Sequence, residues 1–79
     1  MDLSINELYQ QYEKSIELQS QIIASCRRDL NRAKKERKNI LAAEISRNLR
    51  ILYEEKNELM LNAHELKKYI EETQNKLPT

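Results

Sequence analysis

The chain contains no glycine, and its single proline, Pro78, stands next to the last residue. Glycine and proline supply the positive φ angles and fixed kinks on which tight turns depend, so this sequence has few places to reverse direction. A β-sheet protein needs such a turn between successive strands. Most other residues are straight-chain types that lose little rotamer freedom in a helix. The sequence therefore predicts an all-α fold.

In the first half of the chain, apolar residues recur at alternating steps of four and three, the repeat of a helix packed against another helix. The positions on this repeat are Ile5, Tyr9, Tyr12, Ile16, Gln19, Ile23, Cys26, Leu30 and Ala33. Ser4 and Glu7 have the spacing of a capping box, with Leu3 and Leu8 at the positions of a hydrophobic staple. These features predict a first helix over about residues 5–36.

Residues 34–39 contain no apolar side chain, and the repeat changes phase across them. It resumes at Ala42, Ile45, Leu49, Leu52, Lys56, Leu59, Ala63, Leu66, Ile70, Thr73 and Leu77. In one interpretation the chain turns at about residues 36–40, and Asn39 caps a second helix over about residues 40–75. In the other, one continuous helix absorbs the change as a four-residue stutter and dimerises. The first is favoured, because the second would place Arg37 in a buried seam without an apolar neighbour for a full turn.

We therefore predict a single domain over residues 1–79, in which two long antiparallel helices form a coiled-coil-like hairpin. Seven residues are expected to hold the hairpin together: Ile16, Ile23, Leu30, Leu49, Leu52, Leu59 and Leu66. Further apolar residues lie outside the repeat: Leu8, Leu18, Ile22, Leu41, Ile51, Tyr53, Met60 and Leu61. This surplus predicts pairing with a second copy as a four-helix bundle, or docking onto another helical protein. The alternative is a monomer with scattered exposed apolar side chains.

Charge is unevenly distributed along the chain. Residues 27–50 contain nine basic and three acidic residues, a net charge of +6, whereas residues 1–26 carry −3 and residues 51–79 carry −2. A hairpin would place the basic segment at the turn and the acidic segments at the open end. A basic tip could contact nucleic-acid phosphates through Arg32, Lys34, Lys35, Arg37 and Lys38. The favoured alternative is a solvated turn whose cations complement the dipole of the first helix, because no aromatic residues are interleaved for base stacking.

No pattern of an enzyme active site, a metal site or a cofactor site is present, and we predict none of the three. His64 is the only histidine, and Lys68 stands where a zinc motif beginning at His64-Glu65 would need its second histidine. The longest apolar run, residues 40–43, is far shorter than the ~20 residues that span a bilayer. The lone Cys26 and the absence of a secretory signal pattern favour a cytoplasmic protein without a membrane segment.

The spacing of Tyr12, Ser15, Leu18, Ile23, Cys26 and Arg27 resembles the first helix of short helical-hairpin proteins carried on prophages and conjugative elements of clostridia and related Firmicutes. The resemblance covers about the first 55 residues. Cys26 stands where these proteins have leucine, and Tyr69 is the one aromatic residue left of their aromatic-rich tail. The resemblance implies a bacterial, cytoplasmic accessory protein of a mobile genetic element. It implies no activity that specific residues would carry.

Overall fold

The computed structural model describes residues 4–76, with side-chain surroundings for residues 4–73. It contains two helices, α1 over Ile5–Lys35 and α2 over Asn39–Lys76, which pack along each other in a rod of 63 × 21 × 18 Å. The predicted all-α helical hairpin is therefore confirmed, and the continuous helix is excluded. Leu3 of the predicted staple and Leu77 of the predicted repeat lie outside the described residues.

Helix α1 begins with a side-chain cap. Ser4 has an extended backbone, with φ −66° and ψ 159°, and its hydroxyl accepts a hydrogen bond from the Glu7 amide at 3.1 Å. The Leu8 amide donates to the Ser4 carbonyl at 3.0 Å, which is the first bond of the helix. A capping box has two hydrogen bonds. Among the described residues, the bond from the Glu7 amide to the Ser4 hydroxyl is formed. It satisfies one of the amide donors that a helix start would otherwise leave unpaired.

The chain reverses direction through Arg37, which adopts the left-handed conformation with φ 58°. The Lys38 amide donates to the Ala33 carbonyl at 2.9 Å, and the Arg37 amide donates to the Lys34 carbonyl at 3.1 Å. These are the two bonds of a Schellman motif, in which the left-handed position is usually glycine. An arginine there costs about 1–2 kcal/mol, because its Cβ approaches the following carbonyl oxygen.

Helix α2 starts directly after this motif, and its start differs from the predicted one. Asn39 was expected to cap the helix, but it is the first helical residue. The Ala42 amide donates to the Lys38 carbonyl at 2.9 Å, so Lys38 occupies the capping position. The reason is geometric: the Schellman bond to Ala33 already holds the Lys38 backbone, and the helix begins at the next residue.

The two helices meet along the seam that the sequence repeat describes. Its positions from Tyr9 to Ala33 and from Ala42 to Ile70 are buried or half-buried, whereas Ile5 and Thr73 at the open end are exposed. The deepest residues are Ile23, Ala33, Leu49 and Ala63, with exposures of 5%, 2%, 7% and 7%. The seven residues expected to hold the hairpin together lie on this seam, two of them buried and five half-buried. Among the described residues only these four are buried, so the core is thin.

Gln19 is a polar member of the seam and links the two helices near the middle of the rod. Its side-chain amide donates to the Leu52 carbonyl at 3.2 Å and to the Glu55 carboxylate at 3.4 Å. Lys56, the other long polar residue on the seam, is half-buried. Because a hydrogen bond is directional, the contacts of Gln19 favour one register of α1 against α2.

Candidate interaction surfaces

The five basic residues of the predicted tip lie at one end of the rod. Arg32, Lys34 and Lys35 occupy the last turn of α1, Arg37 and Lys38 form the connection, and all five are exposed. The Lys38 ammonium pairs with the Glu36 carboxylate at 3.0 Å. The other four form no ion pair with a described residue. The tip is thus a cluster of solvated cations that also complements the carboxyl end of α1.

A second surface runs along the rod, on one side of the seam. On α1 it consists of the row Leu8, Gln11, Ser15, Leu18, Ile22, Ser25, Asp29, Arg32 and Glu36. On α2 it consists of the row Leu41, Glu44, Asn48, Ile51, Glu55, Glu58, Asn62, Glu65, Tyr69 and Glu72. Members of each row follow one another at steps of three and four, so they share one side of their helix. We call the two rows together the apolar-acidic face.

Surface depressions show that the two rows are neighbours. Near the open end, Leu8 lines one depression with Asn62 and Tyr69 of the opposite helix. Near the turn, Asp29 lines another depression with Leu41. Antiparallel helices place equivalent flanks on the same side of their contact, which explains this arrangement. The apolar-acidic face is therefore continuous from the open end to the turn.

The middle of this face is its most apolar part. Leu18, Ile22 and Ile51 are 60%, 47% and 48% exposed. The Gln19 side chain donates a hydrogen bond to the Leu52 carbonyl, so the neighbouring residues Leu18 and Ile51 lie within about one helical turn of each other along the rod. Leu8 and Tyr69 extend the apolar surface towards the open end, and Leu41 extends it towards the turn.

The flank on the other side of the seam, which we call the opposite face, has a different charge. On α1 it consists of Asn6, Gln10, Glu13, Glu17, Ser20, Ala24, Arg27, Asn31 and Lys34. On α2 it consists of Ala43, Ser46, Arg50, Tyr53, Asn57, Met60, His64, Lys67 and Glu71. Four basic and three acidic residues give this face a net charge of +1, whereas seven acidic residues and one basic residue give the apolar-acidic face −6.

The blocks of charge along the sequence predict the division between tip and open end, but they do not predict this division across the rod. The signal that would have shown it is the helical phase. Once the seam is placed, the residues beside it fall on one flank or the other, and most carboxylates of the apolar-acidic face lie on its α2 row. The surplus apolar residues follow from the sequence repeat, but the face on which each one lies requires the phase of both helices.

The remaining reactive side chains are dispersed. Cys26 is half-buried in the seam, whereas His64 is exposed on the opposite face. Within the part of the chain that the structure describes, no three His, Cys, Asp or Glu side chains lie close enough together to hold a metal ion. Over the same residues, neither helix combines the length and apolar character needed to cross a membrane.

Comparison with known proteins adds no assignment to these surfaces. No protein-family model, curated protein or solved structure matches this chain. The basic tip and the apolar-acidic face are therefore the features from which a function is inferred.

Proposed function

We propose that this protein is a non-enzymatic interaction module that docks a helix of another polypeptide on its apolar-acidic face. The observation that supports the proposal is the joint exposure of Leu18, Ile22 and Ile51 at mid-rod. Burying the exposed part of a side chain of this size contributes about 1 kcal/mol. Single exposed apolar residues are ordinary on protein surfaces, but six on one face of a narrow rod are typical of a binding surface.

The shape of the molecule supports the same proposal. A compact chain of 9.5 kDa exposes about 5,000 Å², whereas this hairpin exposes 6800 Å². The excess is larger than the ~800 Å² that each partner contributes to a standard interface. Two helices leave a groove between them, and a third helix in that groove would enclose the half-buried seam residues as in a bundle.

Site-specific photo-cross-linking in the cells that produce the protein tests the proposal. A benzophenone amino acid would replace Leu18 on the apolar-acidic face, and Leu61, which is 65% exposed on the outer side of α2, is the matched control position. We expect a discrete cross-linked protein from position 18 and none from position 61. No product at position 18, or the same products at both positions, would contradict the proposal.

A second candidate function is contact with nucleic acid through the basic tip. It is favoured by the four tip cations that form no ion pair with described residues. Titration against labelled duplex DNA and RNA at low and high salt tests it, because each neutralised phosphate makes binding more sensitive to salt. Changing Lys34, Lys35, Arg37 and Lys38 to Gln should abolish such binding. The control, with Lys14, Arg50, Lys67 and Lys68 changed to Gln, removes the same charge away from the tip and should retain it.

The biological setting is a proposal of a different kind. An accessory role in a bacterial mobile element, in the cytoplasm, is supported by the resemblance of residues 12–27 alone. The docking proposal does not depend on it.

A further inference from the structure

We infer that the occupant of the apolar-acidic face is a basic amphipathic helix of another protein, and not a second copy of this chain. The inference rests on the proposed docking function and specifies the partner by its chemistry. Three observations carry it: the charge of the face, the placement of its carboxylates and the length of its apolar strip.

The charge of the face argues against self-association. Two copies meeting through this surface would bring a net charge of −6 against −6, and each copy would contribute only Arg32 as a cation. Like charges across an interface cost free energy, and the cost grows when water is excluded between them. A cationic partner reverses the sign of the same interactions.

The carboxylates are concentrated on the α2 side of the groove. Glu44, Glu58 and Glu65 are exposed there, and none forms an ion pair with a described residue. Of the corresponding outer positions of α1, Gln11, Leu18 and Ser25 are uncharged, and Arg32 beside the turn is basic. A helix in the groove would therefore need Lys or Arg along the flank that faces α2 and neutral residues along the flank that faces α1.

The six exposed apolar residues of the face form a strip along the rod, and the length of this strip sets the length of the partner. They are Leu8, Leu18, Ile22, Leu41, Ile51 and Tyr69. Leu8 lies near the open end, whereas Leu41 lies next to the turn. Most of the 31 residues of α1 lie between the level of Leu8 and the level of Leu41 along the rod. This corresponds to about 40 Å at 1.5 Å per residue, so a partner that covers the strip has about 27 helical residues.

The test uses three synthetic peptides of about 28 residues, or four heptads. The first has leucines at the two apolar heptad positions and lysines beside them, the second replaces each lysine with glutamate, and the third is a scrambled version of the first without an apolar stripe. Binding to the full hairpin is measured by fluorescence anisotropy at low and high salt, and sedimentation equilibrium gives the stoichiometry. We expect one lysine peptide per hairpin, with at least about tenfold weaker binding of the other two.

Two pairs of variants locate the contact. Changing Glu44, Glu58 and Glu65 together to Gln should lower the affinity of the hairpin for the lysine peptide about fivefold or more. The matched control changes Glu13, Glu17 and Glu71 on the opposite face, removes the same charge and should leave binding within about twofold. Ile51→Ser should weaken binding, whereas Leu61→Ser should not. Circular dichroism establishes that each variant keeps the helicity of the parent.

The outcomes separate the inference from the function on which it rests. Equal binding of the lysine and glutamate peptides, or equal loss in the two glutamine variants, would overturn the basic partner and leave helix docking intact. A hairpin that sediments as a dimer, and as a monomer after Ile51→Glu, would show that a second copy occupies the face. Absence of both peptide binding and dimerisation would overturn the docking function itself.

Discussion

Arg37 carries the reversal of the chain, although it belongs to a residue type that disfavours its conformation. The Schellman bonds to Ala33 and Lys34 compensate part of the cost of its φ of 58°. The chain can therefore reverse direction without glycine, but a residue other than glycine in this conformation costs free energy. The residue that makes the connection is also one of the cations of the basic tip.

Replacing Arg37 with glycine should stabilise the protein. Glycine adopts the left-handed conformation without steric cost, and this gain exceeds the entropy that glycine adds to the unfolded chain. We expect a gain of about 1 kcal/mol, seen as a rise in Tm of about 4–8 °C. Lys35→Gly, in the last turn of α1, is the control and should lower the Tm, since glycine in a helix costs about 1 kcal/mol. A lower Tm for Arg37→Gly would mean that residue 37 is not left-handed in solution.

Gln19→Leu should raise stability and reduce specificity. The Leu52 carbonyl lies inside α2 and Glu55 is exposed, so neither becomes an unsatisfied buried group when the glutamine is removed. A leucine in the seam adds apolar burial, with an expected gain of about 1 kcal/mol. The loss of a directional contact should allow other pairings of the helices. Thermal melting and sedimentation equilibrium should show a higher Tm together with a dimer fraction, and an unchanged Tm with a purely monomeric variant would contradict this role.

At the scale of the helices, the seam is the feature that determines the hairpin. Its positions follow from side-chain periodicity, which is a property of the sequence. The start of α1 could also be predicted, because Ser4 at the cap is a local signal. The start of α2 could not, since an arginine in a Schellman motif has no sequence signature. The residue type of Asn39 predicts a helix cap, but the backbone bonds of the turn determine the boundary.

Leu52→Asp should abolish cooperative unfolding. The substitution places a carboxylate in the seam beside Gln19, which should cost several kcal/mol of the free energy of unfolding. This loss is as large as the ~3–5 kcal/mol that a core of this size supplies. Ile51→Asp is the matched control, because Ile51 is the adjacent residue and is 48% exposed. Chemical denaturation followed by circular dichroism should show a cooperative transition for Ile51→Asp and none for Leu52→Asp. Similar transitions for both would show that the seam does not lie where the hairpin places it.

For the whole molecule, the elongated shape distinguishes the hairpin from its alternatives. The Cα radius of gyration is 18.1 Å. A compact domain of the same length would have about 12 Å, and one continuous helix would be about 110 Å long with a radius of gyration of about 32 Å. Small-angle X-ray scattering at low concentration should therefore give a value close to 18.1 Å. A value near that of the continuous helix would overturn the hairpin.

The candidate surfaces were only partly predictable at this scale. The basic tip follows from the positive charge of one continuous stretch of the sequence, so the sequence predicts it as soon as a hairpin is assumed. The apolar-acidic face depends on how the flanks of two helices combine, and this requires both the phase of each helix and their antiparallel direction. The chemistry of a partner follows only after the charges have been assigned to faces.

The short connection between the helices has a consequence for the order of folding. Ala33 and Ala42, buried and half-buried beside the turn, are close in sequence, whereas Tyr9 and Leu66 near the open end are far apart. Closing a short loop costs less entropy than closing a long one. Contacts between the helices should therefore form first beside the turn, and they should open first at the open end. Amide hydrogen exchange should accordingly slow from the open end towards the turn. Leu8 and Tyr69 lie in the half of the hairpin that opens most often. A helix docked on these residues would hold the two helices together there and slow the opening of the hairpin.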